Sequence, residues 1–210
     1  MHSPICYAII KEKGYELPEL EDFKDNIPDE ETIMDYVPES DWCVANVNDE
    51  DGWHRGVASP EDLLHLLSLD GLANVKFTDD TKQWIKMTIT QENALARLQR
   101  KTDIERKYLD VVEKGIEHGI IVDSLISTKQ YPDVFTEDDA QICLQHYNET
   151  STYGGLRIFT YEHAEWADGD LLIDRVLKDA NIIETIHYEL NKYGVYQIYV
   201  ATGVTGDYHF

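Results

Sequence analysis

The chain has 210 residues, of which 41 are acidic and 18 are basic, so its formal net charge is −23 at pH 7. This charge argues against direct binding to nucleic acid or anionic membranes and favours binding to basic surfaces. A hydrophobic fraction of 42%, with 13 Tyr, 5 Phe and 4 Trp, excludes intrinsic disorder, because disorder needs low hydrophobicity as well as high net charge.

The cysteines and the first residues predict the compartment. Cys6, Cys43 and Cys143 are odd in number and widely spaced, which predicts buried, reduced thiols and neither a disulfide framework nor a zinc site. The first apolar run, Ile5–Ile10, is too short for a signal peptide or a membrane span. We therefore expect a cytoplasmic protein without a metal or a cofactor.

An acidic segment follows the first predicted strand, Ile5–Ile10. Residues 12–51 contain 15 acidic residues, offset by Lys13 and Lys24 alone. Three prolines interrupt this segment, so it predicts a solvated excursion of loops with one short helix around Asp29–Asp35. Its end and the residues that follow predict a hairpin of Trp42–Val47 and Trp53–Ala58.

The middle of the chain has clear helix and hairpin signals. Ser59 precedes Pro60 and two acids, which predicts a helix start. Asn74–Thr78 and Gln83–Thr90 predict a second hairpin, and Thr90 caps a long helix that ends near Gly115. Apolar residues recur along this helix at helical spacing, although Thr102 and Glu105 interrupt them. The helix is also the basic element of the chain, with Arg97, Arg100, Lys101, Arg106, Lys107 and Lys114.

The last third predicts a strand–helix–strand unit. A sub-boundary at 128–136 precedes a helix that starts at Thr136. Gly155–Glu162 then predicts a strand, Asp168 or Asp170 starts a helix to Tyr193, and Val195–Thr202 predicts a final strand, compatible with a crossover between neighbouring parallel strands. We predict an α+β fold in a single domain, residues 1–210, with a hairpin-rich N-terminal half and a long helix.

Candidate catalytic groups are few. The sequence contains no HExxH, no GxSxG and no phosphate-binding glycine loop before a helix. His163 and Glu165 follow a predicted strand, and with His187 they make the alternative prediction of a hydrolase. Cys143 and His146 share one helix face, which allows a Cys–His dyad, although coincidence on a helix surface is the favoured interpretation.

The acidic segment is the stronger functional signal, because its acids alternate with apolar and aromatic residues. In a binding surface, charge steers the encounter and apolar anchors supply affinity. We predict an acidic inhibitor that occupies the basic nucleic-acid-binding surface of a partner protein, as nucleic-acid mimics of anti-defence systems and nuclease immunity proteins do. A non-catalytic subunit or scaffold, with an apolar patch and a homo-oligomer, is the other alternative. Whether the segment is exposed or folds onto the basic helix is left open.

The predicted binding residues are the acids of this segment: Glu16, Glu19, Glu21, Asp22, Asp25, Asp29, Glu30, Glu31, Asp35, Glu39, Asp41, Asp49, Glu50 and Asp51.

Overall fold

The computed structural model has an α+β fold, as the sequence predicts. It describes residues 2–10, 16–36, 41–47, 57, 59–68, 73–122, 130–150, 157–162, 171–174 and 194–209. These residues form two compact units, one built from Met1–Ala94 with Tyr153–Phe210 and the other from Leu95–Thr152. The sub-boundary at 128–136 falls within the second unit, and the single domain stays a prediction.

Among the described residues, seven strands form one mixed sheet in the first unit. The order is β3-β4-β7-β1-β5-β6, and β2 pairs with β7 on the same edge as β4. The strands are β1 (His2–Ile10), β2 (Trp42–Val44), β3 (Asn74–Phe77), β4 (Trp84–Thr90), β5 (Arg157–Glu162), β6 (Leu171–Asp174) and β7 (Val195–His209).

The longest strand, β7, is the centre of the sheet. Its first half pairs with β4, its last three residues pair with β2, and β1 runs antiparallel along its other edge. The register with β1 shifts between Cys6 and Ala8, opposite Gly203, whose φ of 68° is accessible mainly to glycine. Thr202 stabilises the β-bulge at this register shift, because its hydroxyl donates to the Lys82 and Gln83 carbonyls at 2.7 and 3.0 Å.

Both faces of the central strands are buried. Cys6 and Ala8 of β1 face one core, together with Leu63 and Leu67 of helix α3 (Pro60–Ser68). Ile5, Tyr7 and Ile9 alternate to the opposite face and meet the helices α1 (Leu20–Lys24) and α2 (Glu30–Tyr36). A strand covered on two faces reads as a continuous apolar run, which explains the sequence of β1.

The second unit contains most of helix α4 (Gln91–Glu117) and helix α5 (Glu137–Thr150). Its small core consists of Val111, Val122, Phe135 and Cys143. An ion pair of 2.7 Å between Lys114 and Asp139 joins the two helices. The unit is thus stabilised by its own apolar cluster.

Three helices begin at the N-cap residues that their sequences predict. The hydroxyls of Ser59, Thr90 and Thr136 each accept a hydrogen bond from the backbone N–H three residues later, at 3.1 to 3.2 Å. In the last two, the side chain of Asn93 or Asp139 accepts the backbone N–H of the capping residue in return. The hairpin of β3 and β4 is also confirmed, with Lys82 at a φ of 59° in its turn.

Several predicted elements differ in the structure. The acidic segment is not a loop excursion, because α1 forms and packs onto the sheet. The last strand does not end at Thr202, since its pairing with β1 and β2 continues to His209.

The predicted crossover between neighbouring parallel strands in the last third is wrong, because β1 lies between β5 and β7. Within the predicted helix after Asp170, the described residues Leu171–Asp174 form a strand antiparallel to β5. Pattern alone does not identify a strand's neighbours.

The first strand of the hairpin predicted from Trp42–Val47 and Trp53–Ala58 has a partner other than the predicted one. β2 pairs with β7, a strand about 160 residues away in the sequence, and the backbone N–H of Val47 continues this contact to the Thr205 carbonyl at 2.8 Å. The proposed partner strand, 53–58, lies outside the described residues apart from Val57.

We expect Phe23→Ala to lower the free energy of unfolding by about 3–5 kcal/mol, because a large side chain is lost from a packed core. Phe23 is 0% exposed, and its ring meets Trp84 edge-to-face at 5.1 Å between centroids. Denaturant unfolding measures the loss. The adjacent exposed substitution Asp22→Ala is the control, and we expect it to change stability by less than about 0.5 kcal/mol. Equal losses in the two variants would contradict a packed α1.

We expect Gly206→Ala to lower the free energy of unfolding by about 1–3 kcal/mol through overpacking. A Cβ at Gly206 would lie 2.5 Å from the Val44 carbonyl oxygen and 2.9 Å from that of Ala45, and backbone cannot move aside cheaply. Hydrogen exchange locates the damage: the Val47 amide should lose protection while amides in the β3–β4 pair keep theirs. Unchanged protection at Val47 would show that β2 does not sit against Gly206.

Candidate binding surface

The acidic segment forms a layer over one face of the sheet. Leu20 and Phe23 of α1 and Ile33 of α2 are buried against the sheet in one cluster with Tyr7 and Tyr208. Tyr7 ties the residues after β2 to the same cluster, since its hydroxyl donates to the Ala45 carbonyl at 2.5 Å. We call residues 16–36 the acidic layer. It contains nine acidic residues and one basic residue, Lys24.

The acidic side chains of this layer point away from the core. Every predicted binding residue that the structure describes is exposed, whereas Glu39, Asp49, Glu50 and Asp51 lie outside the described residues. Exposed are Glu16, Glu19, Glu21, Asp22, Asp25, Asp29, Glu30, Glu31, Asp35 and Asp41.

Local bonds fix the ends of the two short helices. Asp29 accepts the backbone N–H of Thr32 at 2.8 Å at the start of α2, and its hydrogen bonds with Thr32 lower the pKa of Asp29. Glu30 accepts the backbone N–H of Ala45 at 3.2 Å and so links α2 to the residues after β2. Lys24 forms an ion pair with Glu21 at 2.8 Å, which neutralises one acid of α1.

The apolar residues between the acids have a role different from the predicted one. The sequence suggested that they anchor a partner protein. In the structure Leu20, Phe23 and Ile33 are buried, and Leu17 and Ile27 are partly buried against the same core. They anchor the acidic layer to its own sheet, so the exposed face of the layer is dominated by carboxylates.

Asp41 and His209 form a second polar cluster that sequence reasoning missed. His209 Nδ1 lies 2.8 Å from Asp41 Oδ1, the imidazole stacks on Trp42 with 5.4 Å between ring centroids, and the Asp41 N–H donates to the His209 carbonyl at 2.8 Å. The hydrogen bond from His209 lowers the pKa of Asp41. The two residues are 168 positions apart, so no sequence pattern connects them. The cluster fixes the imidazole orientation and fastens β2 to the end of β7.

The cysteines are not arranged as nucleophiles. Burial raises the pKa of Cys6 to about 12 and that of Cys43 to about 11, and burial followed by Asp139 raises the pKa of Cys143. His146 stacks on Tyr108 with 3.8 Å between ring centroids, and burial lowers its pKa. A neutral thiol is a poor nucleophile, so the raised pKa of Cys143 argues against a Cys143–His146 dyad.

The hydrolase alternative remains a prediction, because His163, Glu165 and His187 lie outside the described residues. Among the residues that are described, no group of three or more His, Cys, Asp or Glu side chains could hold a metal ion. In the same part of the chain, no helix is both long and apolar enough to cross a membrane.

No protein-family model matches the sequence, and no match was found among the curated proteins or the solved structures. The functional argument therefore depends on the surfaces described above.

We expect Asp41→Asn to lower stability in a pH-dependent way. Because the folded pKa of Asp41 is lowered, its contribution is present above the unfolded pKa of about 3.9 and disappears as pH falls through the folded value. Denaturant unfolding from neutral pH downward should therefore show wild type and variant converging at acid pH. Asp25→Asn removes one exposed charge from the same segment as a control. A wild-type-to-variant difference independent of pH would rule out the His209 bond as its source.

Proposed function

We propose that this protein is an acidic binding protein that acts in the cytoplasm and occupies the basic nucleic-acid-binding surface of a partner, as a nuclease inhibitor or anti-defence mimic does. This proposal is supported by the opposite directions of the charged and the apolar side chains within the acidic layer. Its apolar residues are buried or partly buried against the core, and its carboxylates are exposed. Such a surface attracts a basic groove and repels nucleic acid itself.

The density of carboxylates on the layer supports the comparison with nucleic acid. Helices α1 and α2 have five and seven residues and carry five acids: Glu21, Asp22, Glu30, Glu31 and Asp35. At about 1.5 Å per helical residue this is roughly one carboxylate per 3.6 Å of helix, or one net negative charge per about 4.5 Å because Lys24 pairs with Glu21. One strand of duplex DNA carries one phosphate per about 3.4 Å. A groove that neutralises closely spaced phosphates therefore meets a similar linear charge.

The attachment of the layer also favours binding. A disordered acidic segment would lose conformational entropy when it docked, which weakens affinity. Here Phe23 and Ile33 already hold the two helices on the sheet, and Asp29 and Glu30 form hydrogen bonds that fix the start of α2. The conformational entropy of these residues is thus lost during folding rather than during binding.

The test is affinity capture from a nuclease-treated lysate with immobilised protein, followed by elution with duplex DNA. We expect a basic nucleic-acid-binding protein to be retained at low salt, released by DNA and released by added salt. The purified partner should then lose its DNA binding or cleavage at a stoichiometric amount of this protein.

Two variants of equal charge make the test specific. The first neutralises five exposed acids of the layer, and it should lose the partner and the inhibition. The second neutralises five exposed acids elsewhere and should keep both. The first set is Glu19→Gln, Asp22→Asn, Asp25→Asn, Glu31→Gln and Asp35→Asn. The second set is Asp80→Asn, Glu92→Gln, Asp133→Asn, Glu137→Gln and Asp138→Asn.

Retention of the partner by both variants would show that general acidity, and not this surface, drives binding. A partner that is retained yet keeps full DNA binding in the presence of this protein would overturn the proposed inhibition.

A further inference from the structure

Strands β3 and β4, at one end of the sheet, carry polar side chains on one face. In an antiparallel sheet, residues directly opposite one another point to the same face. Pairing across β3, β4 and β7 places two polar rows there: Asn74, Thr88 and Gln197 in one, and Lys76, Lys86 and Tyr199 in the other. None of the six is buried, and Asn74 and Lys76 are exposed. We call these six residues the lysine face.

The opposite face of the same strands packs into the core. Val75, Met87 and Ile198 lie opposite one another across β3, β4 and β7. All three belong to the apolar cluster that contains Leu63 and Leu67 of α3. The alternation of residues along each strand thus gives one apolar face and one polar face. Packing in the core therefore does not explain which residues form the lysine face.

The two lysines form a like-charge pair. Lys76 and Lys86 lie directly opposite each other, with about 4.5–5.5 Å between their Cβ atoms. Like charges in this position repel each other and destabilise the strand pair. Neither lysine forms an ion pair within the part of the chain that the structure describes, whereas Lys24, Lys82 and Lys114 do. In a chain with 41 acidic residues, this arrangement leaves two neighbouring ammonium groups for an anion from outside the chain.

Protection of the sheet edge explains only one of the two lysines. A charged residue on an edge strand hinders pairing with another chain, and Lys76 lies on β3 at the end of the sheet order. Lys86 lies on β4, which pairs with β3 on one side and β7 on the other. Its ammonium nitrogen is 5.6 Å from the centroid of the Tyr199 ring. This cation–π contact orients the Lys86 ammonium over the sheet.

The two rows of the lysine face suit different chemical groups. Ammonium groups are strong donors to an oxyanion. The other row offers a hydroxyl and two amides, and the Tyr199 hydroxyl donates to Gln197 Oε1 at 3.1 Å, which leaves the Gln197 amide nitrogen as a donor. The rows are two residues apart, or about 7 Å along the strands. A ligand that spans both rows therefore carries an anionic group at one end and hydroxyl groups at the other.

We propose that the lysine face binds the phosphate monoester of a hydroxyl-bearing small molecule, such as a sugar phosphate. The phosphate lies between Lys76 and Lys86, and the hydroxyl groups meet Asn74, Thr88 and Gln197. The anion then replaces the repulsion between two ammonium groups with two attractive contacts. This inference is independent of the proposed function, because it depends on cationic residues of the sheet and not on the carboxylates of α1 and α2.

The acidity of the chain limits the affinity of this site without abolishing it. At an ionic strength of about 0.15 M, exposed charges separated by more than about 8 Å are largely screened from each other. The acids of the connecting turn, Asp79 and Asp80, are at least three residues from either lysine, or about 10 Å along a strand. Exposed ion pairs are individually weak, so we expect a dissociation constant in the millimolar range.

The experiment is a titration of the isotope-labelled chain followed by NMR at constant ionic strength, with ribose 5-phosphate, inorganic phosphate and ribose as probes. We expect ribose 5-phosphate to shift the backbone amide signals of β3, β4 and the first half of β7 and to saturate. Inorganic phosphate should shift the same signals but bind about threefold more weakly, because it lacks the hydroxyl contacts. Ribose alone should shift none of them.

Three variants assign the contacts. Lys86→Gln should raise the dissociation constant for ribose 5-phosphate about fivefold, because one of two ammonium groups is lost. Lys107→Gln is the matched control: it changes the net charge equally at an exposed position of α4, and it should leave binding unchanged. Asn74→Ala should weaken the binding of ribose 5-phosphate and leave that of inorganic phosphate unchanged.

Three results would overturn the proposal. If neither phosphate compound shifts these amides at tens of millimolar, the lysine face does not bind the anion. If Lys86→Gln, with its other amide signals unchanged, binds as tightly as the parental chain, the lysines do not hold the phosphate. If ribose 5-phosphate and inorganic phosphate bind equally, the row of Asn74, Thr88 and Gln197 does not contact the ligand.

Discussion

The burial of β7 and β1 on both faces and along their shared edge is the constraint on which the first unit depends. Ile198 and Val200 need cover on one side, and Ala201, Val204 and Tyr208 need it on the other. Helix α3 covers the first side, and α1 with α2 covers the second. The chain therefore cannot leave residues 16–36 as a solvated loop without exposing a large part of its core to water.

The same constraint explains how this protein holds so many like charges in one layer. Crowded carboxylates repel one another and destabilise a compact state. In the acidic layer that repulsion is opposed by the burial of Leu20, Phe23 and Ile33. These buried side chains hold the two helices on the sheet, so the neighbouring acidic side chains stay on the outer face. Within the same few residues, the apolar side chains thus point inward and the charged side chains point outward.

The outer face of the acidic layer exposes carboxylates, while the apolar side chains of the same residues pack inward. We propose that a basic protein binds this face, and the contact should then weaken as salt is added.

Local chemistry in the sequence determined the helix starts at Ser59, Thr90 and Thr136, the β3–β4 hairpin, the α4 helix and the acidity of residues 12–51, because caps, turns and periodicity act over a few residues. The tertiary structure decided what is not local. It extended β7 beyond Gly203, inserted β1 between β5 and β7, and turned the apolar residues of the acidic segment inward. It also joined Asp41 to His209. Strand partners and the direction of a side chain depend on which distant surface is available to bury it, and that information is held by the whole chain.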